Sequence, residues 1–173
     1  HVRGFFDKVV EIDTCHLQEE PTNFIRKAVA AYVLANELPF YNIKTHEGWI
    51  RNLLVRSSTT GELMVNMVIA YEDKEHRIAL LDQLLQSFPE ITTLLYTING
   101  KRNDSLHDQE PIVYHGKGYI IEKLEELSFK ISPKSFFQTN TKQAEKLYGV
   151  TREFAELDGS QLVYDLYCGT GSI

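Results

Sequence analysis

The order of short apolar runs along the chain limits the fold more than any other feature. Two runs rich in Val, Leu, Ile and Met, at 50–56 and 63–70, flank a Gly-containing turn cluster, which is typical of a β-hairpin. Apolar residues recur at helical spacing over 22–36 and 74–88. Further strand patterns, separated by turn residues, lie at 91–98, 112–114, 119–124 and 127–131. The series predicts an α+β central domain over 1–130, an antiparallel sheet with two helices.

A second unit is expected over residues 131–173. Asn140, with Gln143 three residues later, predicts a helix start. The expected buried stripe of that helix comprises Ala144, Leu147, Tyr148, Thr151, Phe154 and Ala155. The apolar run Leu162–Leu166 then predicts a strand that leads into glycines. A helix followed by an apolar strand and then by glycines is the order in which an α/β Rossmann-like sheet begins. Because only one strand of such a sheet is predicted here, the sheet is expected to be truncated.

Composition excludes several classes of protein. The 173 residues are 43% apolar and 24% charged, which excludes a disordered tail. With 18 Lys and Arg against 24 Asp and Glu, the chain lacks a general basic field, so any nucleic-acid contact must be local. Candidates for phosphate contacts are Lys44, Arg51, Arg56, Lys101 and Arg102. Two cysteines and the lack of a signal peptide or long apolar span favour a cytoplasmic protein without a membrane partner.

Two segments carry the strongest chemical signals. In Tyr164–Gly171, glycines just after an apolar run would let the backbone approach a ligand closely. In Ser132–Asn140, two adjacent aromatics stand beside two amides, a combination that suits stacking and edge pairing with a flat heterocycle. Alternatively, one Phe anchors the core and Asn140 only caps a helix. Cys168 is interpreted as a small packing residue, and the histidines show no metal-ligand spacing.

Together, Ser135–Asn140, Ala144–Tyr148 and Asp165–Gly171 resemble the RNA uracil-5-methyltransferase family. Gly48–Arg56 and Asp13–Leu17 are also similar to the central domain of that family, in particular to its ribosomal-RNA branch. The resemblance covers essentially the whole chain but only the middle of the family's protein. It implies that a cysteine adds to carbon 6 of a flipped-out uracil, and that carbon 5 then takes the methyl group of S-adenosyl-L-methionine.

The resemblance also implies site residues. Gln138, Tyr167, Gly169, Gly171 and Ser172 correspond to contacts with S-adenosyl-L-methionine, and Phe136 lines the pocket for cofactor and target base. The cysteine nucleophile and the carboxylate base lie downstream in the family, so no catalytic residue is assigned and the chain alone is expected to be inactive. Cys15 resembles one ligand of an iron–sulfur cluster in the full-length parent. One thiolate cannot hold such a cluster, so a structural thiol is the alternative.

Two other functions remain open on the sequence. The central domain could be an RNA-docking or interdomain binding module without chemistry, or the glycine segment could open a nicotinamide-dependent Rossmann enzyme. The second alternative leaves Ser135–Asn140 unexplained. The apolar run Leu162–Leu166, if it lacks partner strands, is expected to be disordered or to promote self-association.

Overall fold

The computed structural model of the chain describes residues 3–4 and 9–171. The α+β class is confirmed, and the predicted elements of the central domain form with bounds that differ by at most two residues. In chain order these elements are α1 (Thr22–Ala35), β1 (Ile50–Ser57), β2 (Leu63–Ile69), α2 (Lys74–Ser87), β3 (Thr93–Ile98), β4 (Ile112–His115), β5 (Ile120–Leu124), β6 (Leu127–Ile131) and α3 (Thr141–Ala155).

The larger sheet has four strands in the order β1-β2-β3-β4. The expectation of an antiparallel sheet is wrong for its central pair. β1–β2 and β3–β4 are antiparallel, whereas β2 and β3 run parallel, with Val65 opposite Leu94. The reason is that α2 connects these two strands and returns the chain to the end of the sheet where β2 began, so that β3 runs in the same direction as β2. The sheet is therefore mixed.

Both faces of this sheet are covered. All seven residues of β2 are buried, because successive side chains point to opposite faces and each face meets a different apolar layer. Val65 and Met67 belong to the core under α1 and α2. Met64 belongs to a second core on the other face, with Leu95 of β3.

The second core joins the small β5–β6 hairpin to α3. Ile120, Phe129, Phe137, Ala144 and Tyr148 all pack in it. Residues on both sides of the predicted boundary at 130/131 thus share one apolar cluster, and the division into two domains stays a prediction. The predicted buried stripe of α3 is wrong at Leu147 and Phe154, which are exposed; Thr151 and Ala155 are exposed too. Only the side of α3 that faces the hairpin is covered.

The predicted strand at Leu162–Leu166 is not formed. This part of the described chain is irregular, and the side chains of Leu162, Val163 and Leu166 are exposed. The expectation that this run is disordered or promotes self-association stays a prediction. No helix in the described part of the chain is long and apolar enough to cross a membrane.

Candidate functional site

The segment Ser132–Asn140, here called the amide loop, leaves β6 and enters α3. Its two adjacent aromatics have opposite surroundings. Phe137 is buried against Phe129, with ring centroids 5.5 Å apart, whereas Phe136 is 72% exposed. Gln138 is also exposed. The buried ring therefore anchors the loop, and its neighbour is left free to contact a ligand.

The backbone of the amide loop is fixed at both ends. At its start, the Ser132 N–H donates to the Ser135 hydroxyl at 3.0 Å and the Ser135 N–H donates to the Ser132 carbonyl at 3.1 Å, which closes a tight turn. At its end, the Asn140 side chain accepts from the Gln143 N–H at 3.1 Å, so the predicted helix cap is confirmed. Phe136 and Gln138 project from a loop with little freedom to rearrange.

Arg56, near the end of β1, holds the middle of this loop. Its Nη1 donates to the Ser135 carbonyl at 2.7 Å. Burial lowers the pKa of the Arg56 guanidinium, because removing water disfavours its charged form. A charged side chain of the central sheet thus contacts the residue that precedes Phe136.

Glu122 on β5 is a second anchor, and sequence reasoning missed it. Its buried carboxylate accepts hydrogen bonds from the Thr59 N–H at 3.0 Å and from the Thr59 hydroxyl. It also accepts from the Thr141 hydroxyl at 3.1 Å and from the Lys123 N–H at 2.9 Å. The carboxylate therefore joins the β1–β2 turn to the first turn of α3. The signal was present in the sequence, since Glu122 lies on the same face of β5 as the inward-facing Ile120 and Leu124.

These anchors border a cleft of about 820 Å³. Its lining comes from the 17–22 segment, the end of β1 with its turn, β5 and β6, the amide loop and the start of α3. Polar lining residues include Arg56, Ser57, Ser58, Thr59, Gln138, Thr139, Asn140 and Lys142. Glu19 and Glu122 add carboxylates. The cleft is large enough for a nucleotide-sized ligand.

Cys168–Gly171, here called the glycine turn, lies beside the amide loop. The Gly171 N–H donates to the Cys168 carbonyl, and Gly169 and Gly171 have φ of +52° and +75°. The Thr170 hydroxyl donates to the Phe136 carbonyl at 3.4 Å. The structure thus brings together two segments more than 30 residues apart in sequence, at a weak hydrogen-bond distance.

The exposure of the glycine turn corrects one interpretation and leaves room for a ligand. Cys168 is exposed and is not a packing residue, because the segment before it forms no packed strand. Tyr167 is 94% exposed. Among the described residues, a Cβ on Gly171 would meet no atom within 4 Å, and one on Gly169 would meet only the Tyr167 carbonyl at 3.8 Å. The glycine turn and the Tyr167 ring are therefore open to contact by a ligand, and the cofactor contacts of Gln138, Tyr167, Gly169 and Gly171 stay predictions. The predicted contact Ser172 lies outside the described residues.

Cys15, which precedes α1, is held by two hydrogen bonds to Asn23. The Asn23 side chain of α1 accepts from the Cys15 N–H at 2.9 Å and donates to the Cys15 carbonyl at 3.2 Å. Cys15 is partly buried and unbonded to a second cysteine. Over the described ranges, no group of three or more His, Cys, Asp or Glu is arranged to hold a metal ion. Its role as a cluster ligand in a longer parent stays a prediction.

Comparison with known proteins identifies the relatives. No family model matches the chain. It is 51% identical over its whole length to an uncharacterized RNA methyltransferase of Bacteroides thetaiotaomicron and 48% identical to one of Porphyromonas gingivalis. The chain is related to RNA methyltransferases. It spans about two fifths of the length of these relatives, 39% and 38%.

A solved structure supports the same relationship. The tRNA (uracil-54, C5)-methyltransferase of Pyrococcus abyssi, in complex with S-adenosyl-L-homocysteine, superposes with a TM-score of 0.67 at 25% identity. The match covers 87% of this chain and 36% of that one. The resemblance to uracil-5-methyltransferases that the motifs indicated is thus found again at the level of the backbone.

Proposed function

We propose that this chain is one segment of an S-adenosyl-L-methionine-dependent RNA uracil-5-methyltransferase that forms 5-methyluridine. The observation that carries the proposal is the contact between the glycine turn and the amide loop, Thr170 to Phe136. Because of this contact, the exposed ring of Phe136 and the exposed amide of Gln138 lie on a segment that neighbours the open backbone of the glycine turn. The Pyrococcus relative bound to S-adenosyl-L-homocysteine supports the assignment.

In this proposal each residue of the chain has a binding role. Gln138 and Tyr167, with the backbone of Gly169 and Gly171 and with Ser172, hold the cofactor. Phe136 stacks on the target uracil once the base has left its helix, which repays part of the unstacking energy. S-adenosyl-L-methionine, when bound, supplies an electrophilic methyl group. The nucleophile and base belong to other parts of the enzyme, so this chain binds and orients but does not catalyse by itself.

The test uses RNA carrying tritium at carbon 5 of uridine. Methylation at that carbon expels its hydrogen, so tritium appears in water only if carbon 5 reacts. The chain alone, with cofactor, should release none, whereas the longer polypeptide that contains it should release one tritium per methyl group transferred. Methyl transfer without release of tritium would place the reaction at another atom and overturn the uracil-5 assignment. Turnover by the chain alone would overturn the assignment of the nucleophile to another segment.

The RNA class is a finer part of the proposal. The motifs resemble the ribosomal-RNA branch, so we propose ribosomal RNA, whereas the Pyrococcus relative is a tRNA enzyme. The same tritium assay with ribosomal RNA and with tRNA, each unmodified, separates the two. Release from tRNA only would contradict the ribosomal proposal without touching the uracil-5 chemistry.

A further inference from the structure

The five basic residues singled out in the sequence have different environments. Arg51 has a side chain that is only 1% exposed and pairs with Asp104; it also donates to the Asn99 and Asn103 carbonyls and stacks on Tyr41 at 4.0 Å. Its charge is used within the protein. Lys101 forms an ion pair with Asp108.

Arg56 differs from these because it lines the cleft. Its one hydrogen bond within the described chain goes from Nη1 to the Ser135 carbonyl, and no carboxylate of the described residues forms an ion pair with it. Burial lowers the pKa of Arg56, which means that holding its charge costs free energy in the folded state. No anion of the described residues compensates this cost. The guanidinium retains further N–H donors, since it has five in a planar fork.

The rest of the cleft also suits an anion. Lys142 at the start of α3 and the hydroxyls of Ser57 and Ser58 line it. Two carboxylates are there as well. Glu122 already accepts from Thr59, Lys123 and Thr141, which compensates its charge. Glu19 is exposed, where solvent screens it.

We propose that the cleft binds the phosphodiester backbone of single-stranded RNA, with Arg56 contacting the phosphate next to the nucleotide whose base lies on Phe136. The spacing supports this, because Arg56 holds the carbonyl of Ser135 and Phe136 is the next residue. Planar bidentate recognition of phosphate is the task to which an arginine is best suited. The inference rests on the proposed function and adds a substrate contact to it.

The test measures binding of a labelled oligouridylate, about ten nucleotides long, to the 173-residue chain by fluorescence anisotropy. The variants are Arg56→Gln and the matched control Arg102→Gln, which removes the same charge. Arg102 is exposed in the loop after β3 and, unlike Arg56, does not line the cleft. Arg56→Gln should weaken binding about tenfold at low salt. The slope of log affinity against log salt should flatten by about 0.7, the value for one lost phosphate contact on a single strand. Arg102→Gln should leave both values close to those of the unmodified chain.

Two outcomes would overturn the inference. The first is undetectable RNA binding by the unmodified chain at about 50 mM salt. The second is an equal loss of RNA affinity in Arg56→Gln and Arg102→Gln. If Arg56→Gln does not fold, as circular dichroism would show, the exposed Lys142→Gln replaces it and must show the same flattening of the slope.

A parallel calorimetric titration with S-adenosyl-L-homocysteine distinguishes two sources of the anion. If Arg56→Gln weakens this ligand and leaves RNA binding intact, the anion is the cofactor's carboxylate and the inference fails. The proposed function is judged separately by the tritium assay. Arg56-dependent RNA binding without uracil-5 methylation would retain the inference and discard the proposed function.

Discussion

At the scale of single residues, Glu122 shows how a buried charge can be held without a cation. Among the described residues none forms an ion pair with it, and its carboxylate is instead met by N–H and O–H donors from Thr59, Lys123 and Thr141. Charge-assisted hydrogen bonds of this kind are stronger than neutral ones, and each buried acceptor that loses its donor costs free energy.

Replacing Glu122 by Gln should destabilise the chain by about 1–3 kcal/mol. The amide NH₂ of glutamine is a donor, and it would face the donors of Thr59 or Thr141. Urea unfolding measures the change in the free energy of unfolding. Glu126→Gln, at an exposed position in the β5–β6 turn, makes the same charge change and should alter it little. Equal effects of the two substitutions would show that charge, and not the hydrogen bonds, matters at Glu122.

Phe136 and Phe24 offer a test of the proposed stacking role. Both rings are largely exposed, at 72% and 57%, so removing either should leave stability nearly unchanged. In the complete enzyme, Phe136→Ala should lower kcat/KM for RNA by about tenfold, since base stacking on an aromatic contributes about 1–3 kcal/mol. Phe24→Ala, on α1, should leave kcat/KM for RNA unchanged. If Phe136→Ala lowers the affinity for the cofactor and leaves kcat/KM for RNA unchanged, Phe136 belongs to the cofactor pocket alone.

The site was only partly predictable from these residues. Two adjacent phenylalanines cannot both face the core when the chain between them is extended, but the sequence does not tell which one is buried. The packing of Phe137 against Phe129 decides it. The pairing of Arg56 with Ser135 crosses 79 positions of sequence, and no local pattern encodes a contact of that range.

At the scale of elements, the helix and strand positions followed from periodicity, and strand direction did not. The strand–helix–strand order of β2, α2 and β3 already contained the information, since a helix of 14 residues between two strands returns the chain for a parallel pairing. The exposed part of the α3 stripe was unpredictable for another reason. Periodicity identifies an apolar face, and only the arrangement of neighbours determines how much of that face is covered.

The cap of α3 gives a prediction about local stability. Asn140→Ala removes the acceptor for the Gln143 N–H and should cost about 1 kcal/mol. Because α3 packs on one side only, the cost should appear as faster hydrogen exchange in the first turns of α3 while the four-stranded sheet stays protected. Lys142→Ala in the same turn is the control and should leave exchange unchanged. Uniformly faster exchange throughout the chain would show that α3 does not open on its own.

The two sheets are linked by Glu62, whose carboxylate accepts from the Lys117 ammonium and from the Ile121 N–H, both at 2.6 Å. The Lys117 hydrogen bond is the main cause that lowers the pKa of Glu62 below its ordinary value of 4.5, against the opposing effect of burial. A lowered pKa in the folded state means that the link stabilises fully above that ordinary value. It is lost as the pH falls through the folded pKa.

Glu62→Gln should therefore lower the free energy of unfolding at neutral pH by about 1 kcal/mol. The difference from the unmodified chain should shrink as the pH falls from about 5 to about 2, because the carboxylate is then protonated in both states. Thermal unfolding followed by circular dichroism over this range measures it. A difference that stays constant with pH would rule out the Lys117 pair as its cause.

At the scale of the whole molecule, exposed apolar side chains concentrate in the last third of the chain. They include Leu147, Val150, Phe154, Leu162, Val163 and Leu166. Leu147, Val150 and Phe154 share one face of α3, and exposed apolar faces are characteristic of contact sites and of association in isolation. We expect it to be covered by other parts of a longer enzyme, and to promote self-association of the 173-residue chain.

Sedimentation velocity at increasing concentration measures that association. The unmodified chain should show a rising weight-average sedimentation coefficient, and Leu166→Lys should reduce the rise because it places a charge in the apolar surface. Leu34→Lys, at an exposed apolar position on α1, is the matched control and should leave the rise with concentration unchanged. A monomer at all concentrations would contradict the expectation.

The second core has a consequence for how enzymes of this type can be recombined. Phe129 before the predicted boundary and Phe137 after it are in ring contact, and both pack with Met64 of the large sheet. In a chimaera that takes the residues up to 130 from one relative and the following residues from another, the two parts of the second core would come from different proteins. Their side chains would therefore not be matched in shape. Exchange of target recognition between relatives should succeed only when the segment through Tyr148 is carried over with its own sheet.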